Sequence, residues 1–140
     1  MNRLSRGVLA AGCIAACLSA ALVAQDDDES LRPRITLRGQ PAISVAPARI
    51  IFTVNLVGGA NDYEDYYCPT IEWEWGDDTV SESSSDCDPY VAGTSEIRRR
   101  FSVERTFEFD GTYRVFVRLK KRDREVGTAS TTVTVQPGAL

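Results

Sequence analysis

The chain has 140 residues, 43% of them hydrophobic, 26% charged and 9% aromatic, with 16 Lys+Arg against 20 Asp+Glu and no histidine. That length suits one domain, and the aromatic content argues against a disordered chain. The lack of histidine excludes His-dependent acid–base chemistry and His-ligated metal catalysis, and a net charge of −4 gives no electrostatic footprint for nucleic acid.

Arg3 and Arg6 precede an uncharged stretch over residues 7–24, rich in Ala, Leu and Val, which gives way to Gln25-Asp26-Asp27-Asp28-Glu29. A basic start, an apolar middle and small residues before a polar run form the pattern of a secretory signal peptide, expected over residues 1–24. Cleavage is expected after Ala24, with Ala21 as second choice. Two alternatives stand beside it. The stretch sits at the lower edge of the length that spans a bilayer uncleaved, and Ile14-Ala15-Ala16-Cys17 is similar to a lipoprotein box in which Cys17 is acylated. All three put the remainder outside the cytoplasm, in the periplasm, at the cell surface or secreted. Contact with a membrane is expected only through a lipid anchor or an uncleaved signal. Removing residues 1–24 takes away two arginines and no acid, leaving 116 residues with 14 basic and 20 acidic groups, a net charge of −6.

Residues 25–34 form a short acidic lead-in, expected to be disordered, and residues 35–137 the folded domain. A first strand over residues 35–45 is interrupted by Pro41, which fits a sheet edge. Ile50, Phe52, Val54 and Leu56 then share one face of a strand that Gly58-Gly59 stops. Ile71, Trp73 and Trp75 alternate with Glu72 and Glu74. Residues 81–85 are serine-rich with acidic neighbours and are expected to be a loop. Ile97, Phe101, Val103 and Phe107 share a parity. Tyr113, Val115, Val117 and Leu119 follow an Asp110-Gly111 turn, and Ala129, Thr131, Val133 and Val135 run to Pro137. Several period-two runs separated by Gly, Pro and Asp clusters predict an all-β, two-sheet antiparallel sandwich.

The segment Ile71-Glu72-Trp73-Glu74-Trp75-Gly76-Asp77-Asp78-Thr79 resembles the hallmark of the PKD (polycystic kidney disease) domain, usually Trp-Asp-Phe-Gly-Asp-Gly-Thr. Trp73, Gly76, Asp77 and Thr79 match it. A second signature, His-Thr-Tyr-x-x-x-Gly-Thr-Tyr before an alternating strand, is similar to the run from Arg105 to Tyr113, where Thr106, Gly111, Thr112 and Tyr113 match. The resemblance covers about residues 35–136. Asp78 stands where the family has a turn glycine, Arg105 where it has histidine, and the stretch over residues 81–97 is longer than its usual spacer. The resemblance implies an immunoglobulin-like sandwich with a binding or spacer role. Trp73 and Trp75 have inward parity and are expected in the core, and the Tyr113 hydroxyl is placed to cap a nearby backbone group.

Cys68 and Cys87 are expected to form a disulfide in an oxidising compartment. If Asp77-Asp78 is the tip of a two-residue hairpin, the two cysteines face each other across it, at about the 5.5 Å that a bridge needs. Glu72 and Glu74 are expected to pair with Arg114 and Arg118 across neighbouring strands. A functional alternative joins Arg98-Arg99-Arg100 with Lys120-Lys121-Arg122 into a patch for acidic polysaccharide or lipid headgroups. The acid-rich runs at Asn61–Asp65, Asp77-Asp78 and Asp86-Cys87-Asp88 raise calcium, but no ligand loop of the familiar type is present, so no metal and no cofactor is expected. Tyr63, Tyr66 and Tyr67, near Tyr90, form a candidate binding loop, because loop tyrosines give rigid contact area; the alternative is that they cover the disulfide and the end of the sandwich. The expected function is a non-catalytic extracytoplasmic module that binds a protein or polysaccharide through its loops. The rival reading is a structural or lipid-tethered accessory protein of the cell envelope that makes its contacts through a sheet edge.

Overall fold

A computed structural model describes Gly12 and residues 30–139. The expected signal peptide, Cys17 and the lead-in as far as residue 29 lie outside the described residues. Eight strands follow in order: β1 (Arg34–Gln40), β2 (Ile43–Val45), β3 (Ala48–Val57), β4 (Thr70–Glu74), β5 (Val80–Ser83), β6 (Arg100–Phe107), β7 (Gly111–Lys121) and β8 (Arg124–Gln136). They build a three-stranded sheet in the order β1-β3-β6 and a five-stranded sheet in the order β2-β8-β7-β4-β5. These two sheets form the expected sandwich.

Period two explains the layers. On β3 the even positions Ala48, Ile50, Phe52, Val54 and Leu56 are all buried, while the odd ones turn outward. The ring of Phe52 lies 5.4 Å from Trp75, 6.2 Å from Trp73 and 6.2 Å from Phe107, and the two tryptophans stack at 5.1 Å. Val115, Val117, Leu119, Val133 and Val135 complete the inner face of the larger sheet, and among the described residues no polar or charged one is buried. Each such aliphatic or aromatic side chain contributes about 1.5–3 kcal/mol when fully removed from water.

Three details differ from the sequence expectation. The first strand does more than bend at Pro41: β1 pairs antiparallel with β3 in one sheet, and β2 pairs parallel with β8 in the other. Its two halves therefore edge both sheets. Val80–Ser83, expected within a loop region, is the edge strand β5; all four residues are exposed, so no apolar alternation marks it. At the start of the domain the lead-in is already fixed by residue 32. Arg32 donates from Nε to the Tyr66 hydroxyl (2.9 Å) and from its terminal nitrogen to the Val126 carbonyl, and Pro33 is fully buried.

The β4–β5 hairpin is also one residue out of the expected register. Trp73 faces Ser81 and Glu74 faces Val80, and the Trp75 N–H bonds the Thr79 carbonyl at 3.1 Å. This encloses a three-residue turn, Gly76-Asp77-Asp78, in place of a two-residue one. Gly76 (φ +80°) and Asp78 (φ +65°) both take left-handed backbone, which Asp tolerates better than most residues. A Cβ on Gly76 would come within 2.7 Å of the Arg114 carbonyl. Gly76→Ala is therefore expected to cost about 2–3 kcal/mol, measurable as a lowered midpoint in urea unfolding of the oxidised domain.

Candidate functional site

The residues that carry the family resemblance gather at one end of the sandwich. Asp77 in the hairpin turn accepts from the Thr79 N–H (3.1 Å) and hydroxyl through Oδ1, and pairs with Arg105 through Oδ2 at 3.0 Å. Arg105 also donates to the Thr79 hydroxyl at 2.8 Å, and its guanidinium carbon lies 5.0 Å from the Trp75 ring centroid. Position 105 has the inward parity of β6, so a long cation here reaches from the three-stranded sheet across to the hairpin of the other. Trp75 Nε1 donates to Ser81 Oγ at 2.8 Å. The Tyr113 hydroxyl donates to the Phe109 carbonyl at 2.7 Å, the backbone cap expected of it. Thr106 lies outward on β6, and Gly111-Thr112 open β7. This constellation is a network of internal bonds that ties the two sheets together.

The opposite end carries the tyrosines. Tyr66 is only 1% exposed and packs edge-on against Tyr63 at 4.9 Å; it belongs to the core. Tyr67 donates to the Asp88 carbonyl at 2.7 Å and lies 5.6 Å from Tyr90, whose hydroxyl bonds the Asp62 carbonyl. These bonds fasten the loops before β4 and after β5 to each other. Cys68 and Cys87 are joined beside them with Cα atoms 6.3 Å apart. The bridge forms outside the ladder, because Cys68 takes a left-handed conformation (φ +50°) and β4 starts only at Thr70.

Between this disulfide-tied wall and the sheets lies a cleft of about 340 Å³, where β5 edges one sheet and β6 the other. Ile71 and Phe101 give it apolar surface, with the buried Trp73 behind them; Arg98, Glu96 and Ser85 contribute polar groups, and Tyr67 lines it as well. The Arg98 guanidinium lies 5.2 Å from the Phe101 ring centroid. A cleft of this size with a few polar groups around aromatic surface suits a single ring, a sugar or an aromatic side chain. Sequence reading missed it because the lining comes from β4, β5, β6 and two loops. Of its lining, only Tyr66 and Tyr67 had been read as binding residues; Cys68, Cys87, Trp73 and Arg98 had been given other roles.

The charged groups are mostly engaged elsewhere. Glu72 meets Arg118 (3.5 Å) and Lys120, and Glu74 meets Arg118 at 2.7 Å. Arg118 and Lys120 thus do the pairing, while Arg114 reaches Ser130 at 3.4 Å and stacks on Phe116. The suggested patch of Arg98–Arg100 with Lys120–Arg122 is divided: Arg99 donates to the Leu56 and Gly58 carbonyls and to Asn61, and Lys120 belongs to the other sheet and pairs with Glu72. In the acid-rich runs, Asp62 accepts from the Gly93 N–H and Asp65 pairs with Arg124. Among the described residues no group of three or more Cys, Asp or Glu converges as a metal site would.

No family profile and no curated protein matches the chain. Solved structures do. The architecture is that of a small immunoglobulin-like β domain. More narrowly, it matches the PKD domain of an M14-like peptidase from a Thermoplasmatales archaeon, with a TM-score of 0.51 and 17% identity over 75% of this chain and 96% of that one. A CARDB domain from Pyrococcus furiosus aligns over 78% of this chain and 97% of that one, with a TM-score of 0.45 and 11% identity. The fold is thus PKD-like, as the two sequence signatures implied.

Two predictions follow from this geometry. Replacing both cysteines with alanine is expected to cost about 3 kcal/mol by loosening the unfolded-state constraint, read as a lower urea midpoint. The second concerns acid. A hydrogen bond from Lys120 holds the Glu72 carboxyl below its usual range despite desolvation. At Asp77 burial works to raise the pKa, but bonds from Thr79 and Arg105 outweigh it and lower it. Depressed carboxyls stabilise the fold fully above their unfolded pKa of about 4, and that stability is lost as pH falls through the lower folded values. Asp77→Asn, which keeps the Oδ1 acceptor, should be less stable at neutral pH and lose less on acidification, in thermal unfolding followed from pH 6 down to about pH 2.

Proposed function

We propose that the chain is an exported, non-catalytic binding module whose ligand, a protein or polysaccharide, places a ring in the cleft between the edges of β5 and β6. The observation that carries this reading is the half-buried apolar surface of Phe101 and Ile71 beside Arg98, Glu96 and Ser85. The wall is held by the Cys68–Cys87 bridge and the Tyr67–Asp88 bond, so the site is formed before a ligand arrives, which lowers the entropy cost of binding. Export is supported by the signal-like N-terminus and by a disulfide that an oxidising compartment maintains. The non-catalytic reading is supported by the cleft's lining, in which Glu96 is the single carboxyl among the described residues; glycoside hydrolysis uses a facing pair.

The test is a screen of the mature, oxidised protein against glycan and peptide arrays, with Ser83→Trp to fill the cleft from an exposed strand position and Arg98→Ala to remove its cation. Loss of the wild-type ligand on Ser83→Trp, and about tenfold weakening on Arg98→Ala, support the cleft. Binding of an uncharged glycan or a peptide that survives Ser83→Trp in a folded protein rejects the cleft and moves the contact to the sheet edges, as the structural-accessory reading requires.

A further inference from the structure

Although the chain is acidic overall, one face of it is not. The outward positions of the three-stranded sheet are Arg34, Thr36, Arg38 and Gln40 on β1, Arg49, Ile51, Thr53, Asn55 and Val57 on β3, and Arg100, Ser102, Glu104 and Thr106 on β6. That is four arginines against one glutamate. Arg49 pairs with Glu104 at 3.2 Å. Arg34, Arg38 and Arg100 have no ion pair among the described residues, in contrast to Arg105, Arg118 and Arg124. The outer face of the five-stranded sheet is different, since Arg118 and Lys120 there are matched by Glu72, Glu74 and Glu125, and Arg114 reaches Ser130 and stacks on Phe116.

We propose that the outer face of the β1-β3-β6 sheet binds an acidic polysaccharide, whose carboxylate or sulfate groups pair with Arg34, Arg38 and Arg100. The strand register places Thr36, Asn55 and Arg100 in one cross-strand row and Arg38, Thr53 and Ser102 in the next. From strand spacing and rise, the Cα atoms of the three arginines stand roughly 12–14 Å apart. Cations spread along and across the strands at that spacing match acid groups strung along an extended polyanion. The side chains in the two rows are polar throughout, and Thr36, Arg38, Gln40, Thr53, Asn55 and Arg100 line a shallow groove of about 430 Å³ along them. Hydroxyls and amides between cations match a polymer that alternates hydroxyls with acid groups. A bilayer would call for a cluster of protruding apolar side chains; on this face Ile51 and Val57 stand apart on either side of the two polar rows, and the most exposed apolar side chain, Phe109 at 77%, sits in the β6–β7 turn. Arginine suits such recognition because its planar fork meets carboxylate or sulfate with two hydrogen bonds.

The experiment uses the mature, oxidised chain with polygalacturonate as the acidic probe, dextran as the neutral one, and vesicles of phosphatidylglycerol and phosphatidylcholine as the lipid arm. The wild type should bind polygalacturonate but not dextran, with affinity falling as salt is raised. Arg38→Glu with Arg100→Glu should weaken binding by about tenfold or more, and Arg38→Gln with Arg100→Gln by less. Lys121→Glu with Arg122→Glu, the same charge change at the β7–β8 turn, should leave it unchanged, as should Ser83→Trp; the latter separates this face from the cleft. Thermal unfolding checks that each variant is folded. No polygalacturonate binding by the wild type, equal binding by the folded double variants, or preference for vesicles over polysaccharide would overturn the proposal.

Discussion

The whole sandwich depends on how Phe52 meets Trp73 and Trp75. One ring from the middle strand of the three-stranded sheet sits against two stacked rings of the five-stranded sheet. That contact fixes which parity of β3 and β4 points inward and, through strand pairing, the parity of their neighbours. It also leaves no room beside it. A Cβ on Gly39 would come within 2.9 Å of the Phe52 ring and 2.7 Å of Val133, so β1 can lie over the aromatic cluster only with glycine at that position. The cationic outer face is a consequence of the same constraint, because once Phe52 and Val54 are inside, Thr53 and Asn55 must be outside.

The two ends of the sandwich do different work. At the hairpin end, Asp77, Thr79, Arg105 and Trp75 link the two sheets, so the motif is explained by packing and hydrogen bonding. Arg105 takes the place of a histidine in the family pattern; a longer side chain with fixed charge can both stack on Trp75 and hold Asp77. At the other end, tyrosines and a disulfide hold loops that have little ladder of their own, and the cleft opens beside them. Structure is concentrated where the family resemblance is strong, and chemical individuality where it fades.

Strands with one buried face were legible in the sequence: β3, β4, β7 and β8 announce themselves because burial imposes alternation. What burial does not touch was hidden. Val80–Ser83 has both faces in water, so nothing separates it from a serine-rich loop. The expected start of the last strand at Ala129 was late because the β7–β8 hairpin turns through Arg122 and Asp123, which adopt left-handed backbone without a glycine to signal it. Tyr66 was left open between a binding loop and a cover for the end of the sandwich for lack of any parity in a loop; Arg32 and Gly127 close around it, and a Cβ on Gly127 would lie 2.7 Å from the Tyr66 hydroxyl oxygen. The cleft and the arginine triad are products of non-local pairing, which no local pattern encodes. Arg34 and Arg38 are separated from Arg100 by some sixty residues of chain and become neighbours only through β3.

The split of the first strand has a mechanical consequence. Its first half enters the sandwich at Arg34, opposite Val57, while the last strand leaves at Gln136, opposite Val45, at the far end. A tension applied between the two ends of the domain therefore runs along the strands. Since β2 and β8 are parallel neighbours, stretching slides one past the other and strains their hydrogen bonds together instead of unzipping them one at a time. β1 is loaded in the same way against β3. Pulled along that axis the edge strands are loaded in shear, and the broad sheet faces stay free of the load.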